Sequence, residues 1–193
     1  YVIKGLLMTS TGNALQIDGK PIATSAEFTP KTASGTAEVI FTFDASEIGG
    51  RKIVVFEYLY LNDVLLASHT DIKDDNQTLY IPDIKTTIQD GENGSHSSTA
   101  DEEITLVDTV TYKGLEIGRT YSIEGTLVEK NTGAYILDDA GNKITASTEF
   151  TAEKANGTVD VVFKFSGASM AGKIVVAYER LYTEGIEVAA HTN

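Results

Sequence analysis

The sequence predicts an all-β chain built from two tandem antiparallel β-sandwiches. Short runs rich in β-branched and aromatic residues recur at intervals of about 8–12 residues, a spacing typical of all-β sandwiches. Clusters of Gly, Asn, Asp and Ser separate these runs, and no segment has helical periodicity. Most of the sequence also occurs twice. Together these features favour two sandwiches of immunoglobulin-like type.

Six runs predict the main strands, because each alternates as a half-buried strand does. In chain order they are residues 37–43, 52–61, 104–112, 121–128, 159–165 and 173–182. The two copies match element by element: YVIKGLL at 1–7 returns as YSIEGTL at 121–127, and GTAEVIFTF at 35–43 returns as GTVDVVFKF at 157–165. A repeat of this length corresponds to a whole domain.

The repeat keeps one glutamate and one histidine at a fixed spacing. IVVFEYLYLNDVLLASHTD at 53–71 returns as IVVAYERLYTEGIEVAAHTN at 174–193. Glu57 and His69 are twelve positions apart, as are Glu179 and His191. An acid and an imidazole held at one spacing in both copies indicate a site built into each module.

The join between the modules is predicted at Pro82, which cannot donate to a β-ladder. We therefore expect one module over 1–82 and another over 83–193. Residues 83–120 have no counterpart in the first copy, and residues 71–82 have almost none in the second. We expect a first module without its opening segment and a second without its closing strand, each completed by segments outside this sequence. In an alternative, residues 83–120 fold back onto the first module, a neighbouring chain completes residues 121–193, and the ester bonds run between chains.

Composition excludes several classes of function. The formal net charge of −13 argues against a nucleic-acid partner, because phosphates require Lys and Arg. No run of about 18 apolar residues is present to form a membrane segment. No cofactor motif or metal-ligand spacing is evident. The chain has no cysteine, so an extracellular protein of this kind would need a different covalent staple.

Strand parity places polar side chains in rows that are otherwise apolar. Thr86 shares a face with Ile84 and Ile88, and Asp108 shares one with Leu106 and Val110. By the same parity, Glu57, Glu179 and Gln77 also fall in apolar rows. A buried carboxyl is costly when ionised, so these acids are expected to have raised pKa values.

A hydroxyl, a carboxamide, an imidazole and buried acids are the parts of an acyl transfer. The threonine oxygen attacks the glutamine carbonyl, histidine takes the hydroxyl proton, and protonated carboxyls stabilise the oxyanion. The product is an ester that joins two strands. Simpler roles remain open: packed histidines, a solvated glutamate at a strand end, or a Ca²⁺ loop formed by Asp71, Asp74 and Asp75.

The motifs DTVTYKGL, VVFE and H-x-D-x-x-D-x-x-Q-T, together with PDIKTT, resemble the Thr–Gln ester-bond immunoglobulin-like modules, also described by their VaFE repeat. Such modules form the shafts of cell-wall-anchored adhesins on Gram-positive bacteria. The resemblance covers essentially the whole chain. It implies a structural stalk segment, an extracellular location, neighbouring modules or a complementing strand as partners, and no cofactor.

The resemblance also implies the members of two sites. In the first module they are Glu57, His69 and Gln77; in the second they are Thr86, Asp108, Glu179 and His191. Thr86 is chosen over Thr87 by parity and because the family uses the first threonine of the pair. The glutamine partner of Thr86 is expected eight residues after His191. One extra residue before Glu179, in AYE against FE, is expected to affect the register there.

Three rival functions are weighed against the ester. A ligand-binding sandwich without a cross-link is the main alternative, although the chain has no Trp to support it. A Lys–Asn isopeptide module has Lys113 as its lysine but no marked asparagine. A turnover enzyme is the least favoured, because the acyl group belongs to the fold and the reaction would run once.

Overall fold

The computed structural model describes residues 1–45, 48–100 and 103–192. It divides into two compact units, Tyr1–Ile81 and Pro82–Asn193, so the division lies one residue before the predicted join. All strand pairs are antiparallel, and the described residues form no α-helix. The prediction of an all-β fold in two tandem antiparallel units is confirmed. No helix in the described ranges is long and apolar enough to cross a membrane.

The first unit is organised around one main sheet. Its strands in chain order are β1 (Val2–Thr9), β2 (Gln16–Ile17), β3 (Lys20–Pro21), β4 (Ala23–Glu27), β5 (Arg51–Leu61), β6 (Val64–His69) and β7 (Thr78–Ile81). The main sheet has the order β4-β1-β5-β6, and β7 pairs with the start of β5. Its main cluster of buried apolar side chains is small and consists of Leu7, Leu15, Ile48 and Ile53; Met8 and Val54 are also buried.

The second unit is a two-layer sandwich with one sheet of four strands and one of three. Its strands are β8 (Asp83–Asp90), β9 (Ile104–Lys113), β10 (Thr120–Glu129), β11 (Thr145–Thr151), β12 (Gly157–Phe165), β13 (Val175–Thr183) and β14 (Ile186–His191). One sheet has the order β11-β10-β13-β14, and the other has the order β12-β9-β8. Alternate residues of β9 face the other sheet, and the apolar ones among them, Ile104, Leu106, Val110 and Tyr112, lie in the core between the two sheets.

The strand predicted over 37–43 is not formed, and this prediction is wrong. Its counterpart β12 pairs with β9 along its whole length, whereas the described part of the first unit has no strand equivalent to β9. A strand needs a ladder partner to satisfy its backbone groups, so strand-forming residues alone are insufficient. Phe41 and Phe43 nevertheless still pack against the core.

The alternative in which residues 83–120 fold back onto the first module is also wrong. These residues form β8 and β9, which pair with each other, and β9 pairs with β12 inside the second unit. Comparison of the two units also explains why β6 is exposed. In the second unit, β8 contacts β14, the counterpart of β6. The described part of the first unit has no counterpart of β8, and all six residues of β6 are exposed, Val64 to 61%.

The spacing of glutamate and histidine follows from two matching hairpins. Asn62 and Asp63 both have positive φ, which is the signature of a tight two-residue turn. A β-bulge between Leu59 and Tyr60 then shifts the register by one residue. Because of this bulge, Glu57 faces His69; in an unbroken ladder it would face Ser68. Glu184, Gly185 and a bulge at the matching position produce the same pairing in β13 and β14.

Candidate functional site

The second unit brings together the four residues predicted for its site. Thr86 lies on β8 and Asp108 on the adjacent β9, and Glu179 faces His191 across β13 and β14. Strand β8 contacts both β13 and β14, which joins the two pairs across the sandwich. Strand parity correctly predicted the inward face of β8: Ile84 is buried and Thr86 is partly buried, whereas Thr87 is exposed.

Two carboxyl groups are fully buried at the centre of this site. Asp108 and Glu179 are both 0% exposed. Counted as carboxylates, their four oxygens have no hydrogen-bond partner of good geometry among the described residues. The two groups are nevertheless neighbours, and Thr86 lies beside both. Two carboxylates in contact cannot share a hydrogen bond, because neither has a proton to donate. Their contact therefore requires that one of them be protonated.

The proton is held by Glu179. Burial and the neighbouring Asp108 raise the pKa of Glu179 from its ordinary value of 4.5 to about 10. Burial also raises the pKa of Asp108, while hydrogen bonding from Glu179 and Thr86 and the charge of His191 act in the opposite direction. The site at neutral pH thus contains an acid that can donate a hydrogen bond, beside an acid more readily ionised.

A glycine gives Glu179 its space. A Cβ atom on Gly125 would lie 2.6 Å from Cζ of Phe163 and 3.2 Å from Oε1 of Glu179. The first approach is shorter than real Cβ contacts allow, so no side chain fits here without displacing the ring. In the first unit, Gly5 has the same relation to Phe41, at 2.5 Å, and pairs with Glu57 as Gly125 pairs with Glu179. The glycine and the phenylalanine form an apolar wall beside the acid.

The extra residue of the second copy does not alter this register. Glu179 pairs with Gly125 and His191, as Glu57 pairs with Gly5 and His69. The insertion is therefore accommodated before β13 begins at Val175. The expectation of a register effect at Glu179 is wrong, because the loop absorbs the added residue.

The buried acid predicts how stability depends on pH. The folded second unit keeps Glu179 protonated, whereas the unfolded chain ionises it above about pH 4.5. The contribution of Glu179 is fully present below pH 4.5 and is lost as pH rises to about 10. We therefore expect Glu179→Gln to flatten the fall in unfolding free energy between these values, measured by urea denaturation at several pH values. Glu124→Gln, on the exposed face of β10, is the control and should keep the parent slope.

The first unit assembles the complementary set of residues. Nε2 of Gln77 donates to Oε2 of Glu57 at 3.3 Å, and Glu57 faces His69. Nε2 of His69 lies 2.8 Å from Oδ2 of Asp74. The carbonyl oxygen of Gln77 is buried without a partner among the described residues. That oxygen is the atom that would become negative during attack on the carboxamide.

Asp74 contacts the histidine of this site, a role that the sequence analysis missed because it considered Asp74 only as a Ca²⁺ ligand. The H-x-D-x-x-D-x-x-Q-T motif contains it, but its role becomes evident only from its contact with His69. Asp74 also caps the short 3₁₀ turn Asp75–Gln77 through the backbone N–H of Asn76, and that turn aims Gln77 inward. The other acids of the proposed Ca²⁺ loop are separately engaged, Asp71 with the N–H of Lys73 and Asp75 with Lys52. The described residues contain no group of acids or histidines arranged to hold a metal ion.

Each unit thus holds one of the two residues that an ester would join. The first has the glutamine with a glutamate and a histidine, and the second has the threonine with an aspartate, a glutamate and a histidine. The second unit thus contains side chains that attack of a hydroxyl on a carboxamide requires: a hydroxyl, an imidazole that can act as a base, and a neutral acid that can stabilise the oxyanion. Lys113 is exposed on the surface of β9, so no buried isopeptide lysine occurs there.

A family model described as "T-Q ester bond containing domain" matches residues 1–81 and 82–193. Among solved structures, the chain is similar to a bacterial adhesin from Mobiluncus mulieris containing intramolecular disulfide, isopeptide and ester bond cross-links. Two crystal forms match, at 17% identity with a TM-score of 0.48 and at 18% with 0.47; each match covers 58% of this chain and 53% of that chain. This chain spans about half the length of that adhesin chain. No curated protein matches. Because the family model covers both units, the chain belongs to the T-Q ester bond containing domains.

Proposed function

We propose that each unit is cross-linked by an ester between a threonine on its opening strand and a glutamine on its closing strand. The chain would then be a stalk segment of a bacterial surface adhesin, extracellular and anchored to the cell wall. The observation that carries the proposal is the pair of adjacent, fully buried carboxyls of Asp108 and Glu179 beside the hydroxyl of Thr86. A merely structural core has no use for such a costly arrangement.

The reaction follows from the positions of these groups. His191 accepts the proton of Thr86 Oγ as that oxygen bonds to Cδ of a glutamine side chain. The protonated carboxyl of Glu179 donates a hydrogen bond to the oxyanion, and Asp108 stabilises the positive imidazolium. The C–N bond then breaks, and the imidazolium returns its proton to the leaving group, which departs as ammonia. One ester and one ammonia result, and both acids end as they began.

The product would serve the mechanical role of a stalk. An ester between first and last strands carries a pulling force through a covalent bond and bypasses the hydrogen bonds of the sheets. It also supplies the staple that a chain without cysteine cannot obtain from a disulfide. Since the acyl group is consumed within the fold, the reaction is a single self-modification and no enzyme activity toward other substrates is implied.

The test is to add a glutamine-bearing strand in cis. Appending a copy of residues 72–82 after Asn193 places a glutamine eight residues after His191, as Gln77 follows His69. The intact mass of the denatured protein should then be lower by one ammonia, and peptide mapping should join the appended glutamine to Thr86. Replacing the appended glutamine with glutamate is the control, which should retain the full mass. A full mass in the glutamine form, with the second unit folded, would refute the proposal.

A further inference from the structure

The buried acid pair of the second unit has a polar side and an apolar side. Among the described residues, the titratable groups that face Glu179 are Asp108 from β9 and His191 from β14, and β8 contributes the uncharged hydroxyl of Thr86. The opposite side belongs to β10 and β12, whose buried residues carry no charge. On that side, close packing alone keeps water away from the two carboxyls.

The sheet that carries Glu179 leaves a gap beside it. Glu179 pairs with His191 on one side and with Gly125 on the other, and Gly125 pairs in turn with Ala146. These positions form one row across the sheet, so their side chains point to the same face. Neither glycine nor alanine has a side chain long enough to cover the carboxyl. The cover must therefore come from the opposite sheet.

Two apolar side chains of β12 fill this gap. Val161 pairs with Asp108 in the ladder between β12 and β9, and Phe163 lies two residues further along the same face. Val161 and Phe163 are 0% and 1% exposed. A Cβ atom on Gly125 would lie 2.6 Å from Cζ of Phe163, 3.3 Å from Cγ1 of Val161 and 3.2 Å from Oε1 of Glu179. The ring and the carboxyl thus approach the same point above the glycine.

The first unit keeps this contact without keeping the strand. A Cβ atom on Gly5, which pairs with the glutamate of that unit, would lie 2.5 Å from Cζ of Phe41 and 3.1 Å from Cγ1 of Val39. Residues 37–43 form no strand, yet both side chains lie over Gly5 as their counterparts lie over Gly125. The contact between the phenylalanine and the glycine therefore does not require the ladder of β12. What the two units share at this point is the acid beside the glycine.

We propose that Phe163 is a positioning residue for ester formation, and that Gly125 provides the space for its ring. The ring would act through Glu179: it keeps water from the apolar side of the carboxyl and directs the carboxyl toward Thr86, so that the acid enters the reaction as a neutral hydrogen-bond donor. Phe163 itself takes no part in making or breaking bonds. The effect on the reaction rests on the proposed function, whereas the effect on the protonation of Glu179 does not.

Protonation is measured on the full chain, where no ester is needed. The carboxyl carbon of Glu179 is titrated by NMR, and its signal is assigned by its absence in Glu179→Gln. Burial and Asp108 raise the pKa of this group to about 10, which is the midpoint expected for the parent. We expect Phe163→Leu to lower the midpoint by about one pH unit or more, because leucine lacks the outer ring atoms and lets water approach. Combining it with Gly125→Ala refills the gap with a methyl group and should return the midpoint toward the parent value.

The matched control changes a different ring in the same way. Phe150→Leu removes the same atoms from a partly buried ring that packs on Tyr112 and Tyr121. It should lower the stability of the second unit and leave the midpoint of Glu179 at the parent value. A midpoint that does not move in Phe163→Leu, or that moves as far in Phe150→Leu, would overturn the inference.

The effect on the reaction is measured in the chain extended by residues 72–82. This chain is isolated in urea before it folds and is diluted into buffers of different pH, and loss of ammonia is followed by intact mass. The reaction requires an unprotonated imidazole and a protonated Glu179, so its rate should pass through a maximum as pH rises. We expect Phe163→Leu to move the alkaline fall to lower pH, by the shift seen in the NMR titration, and to leave the acid side in place.

The outcomes of the two measurements separate the inference from the proposed function. A rate that Phe163→Leu lowers equally at every pH, with an unshifted midpoint, would mean that the ring is only structural and would overturn the inference. Absence of the ester in the extended parent chain would refute the proposed function instead. The shift in the NMR midpoint would then still establish that Phe163 keeps Glu179 neutral.

Discussion

Replacing Thr86 with valine in the chain extended by residues 72–82 is expected to abolish the cross-link completely. Valine keeps the β-branched shape of threonine and removes only the hydroxyl. The ester closes a loop of roughly a hundred residues and so restricts the conformational entropy of the unfolded chain. Without the ester this restriction is lost, and the free energy of unfolding of the second unit should fall by about 4–5 kcal/mol. Intact mass and denaturant unfolding of the same samples measure both effects.

Two matched variants make this result specific. Thr86→Ser retains a hydroxyl at the same position and should still lose ammonia. Thr87→Val changes the neighbouring, outward-facing residue of β8 and should leave both mass and stability at the parent values. A cross-link that persists in Thr86→Val, or that disappears in Thr87→Val, would show that the wrong hydroxyl has been assigned.

Placing a copy of residues 82–120 before Tyr1 is expected to convert the first unit into a complete sandwich. The added hairpin supplies the counterparts of β8 and β9, so residues 35–43 gain the ladder partner that β12 has in the second unit. We expect their amide hydrogens to become protected from exchange and β6 to become covered. Gln77 should then form an ester with the added threonine, seen as a mass deficit of one ammonia.

One control distinguishes the effect of the prefix on folding of the first unit from its effect on ester formation. A prefix in which the copied Thr86 is replaced by valine should protect residues 35–43 equally well and form no ester. If neither prefix slows amide hydrogen exchange in residues 35–43, the explanation that this segment lacks a strand partner is wrong. If protection appears without an ester in the unsubstituted prefix, the site assignment in the first unit fails instead.

Five of the six strands predicted from the sequence form, and only the run at 37–43 does not. Alternation along β8 and β9 was sufficient to place Thr86 and Asp108 on inward faces, because side-chain direction in a strand depends only on parity. The strand at 37–43 was predicted from its β-branched and aromatic residues and their alternation, and it does not form. A strand also depends on a partner that can lie far away in sequence. Local patterns carry no information on whether that partner is present.

Two features of the site depend on pairing and so escaped the sequence analysis. The bulges that align Glu57 with His69 and Glu179 with His191 arise where one strand has an extra residue relative to its neighbour. The approach of Gly125 to Phe163 joins residues from different sheets of the sandwich. The contact of Asp74 with His69 joins residues only five positions apart, and the aspartate of the H-x-D-x-x-D motif was a signal that could have indicated it.

The distance along the chain between Thr86 and Glu179 sets an order of events during biogenesis. A polypeptide grows from its amino terminus at about 5–20 residues per second, so Glu179 follows Thr86 by roughly 5–20 s. Until then, the hydroxyl has neither the neutral acid nor the imidazole beside it and is an ordinary, inert alcohol. A nascent chain would therefore remain without a cross-link while Thr86 and the strands after it are synthesised, and it could become a covalently closed loop only after the strands that carry the acid and the imidazole had folded against Thr86.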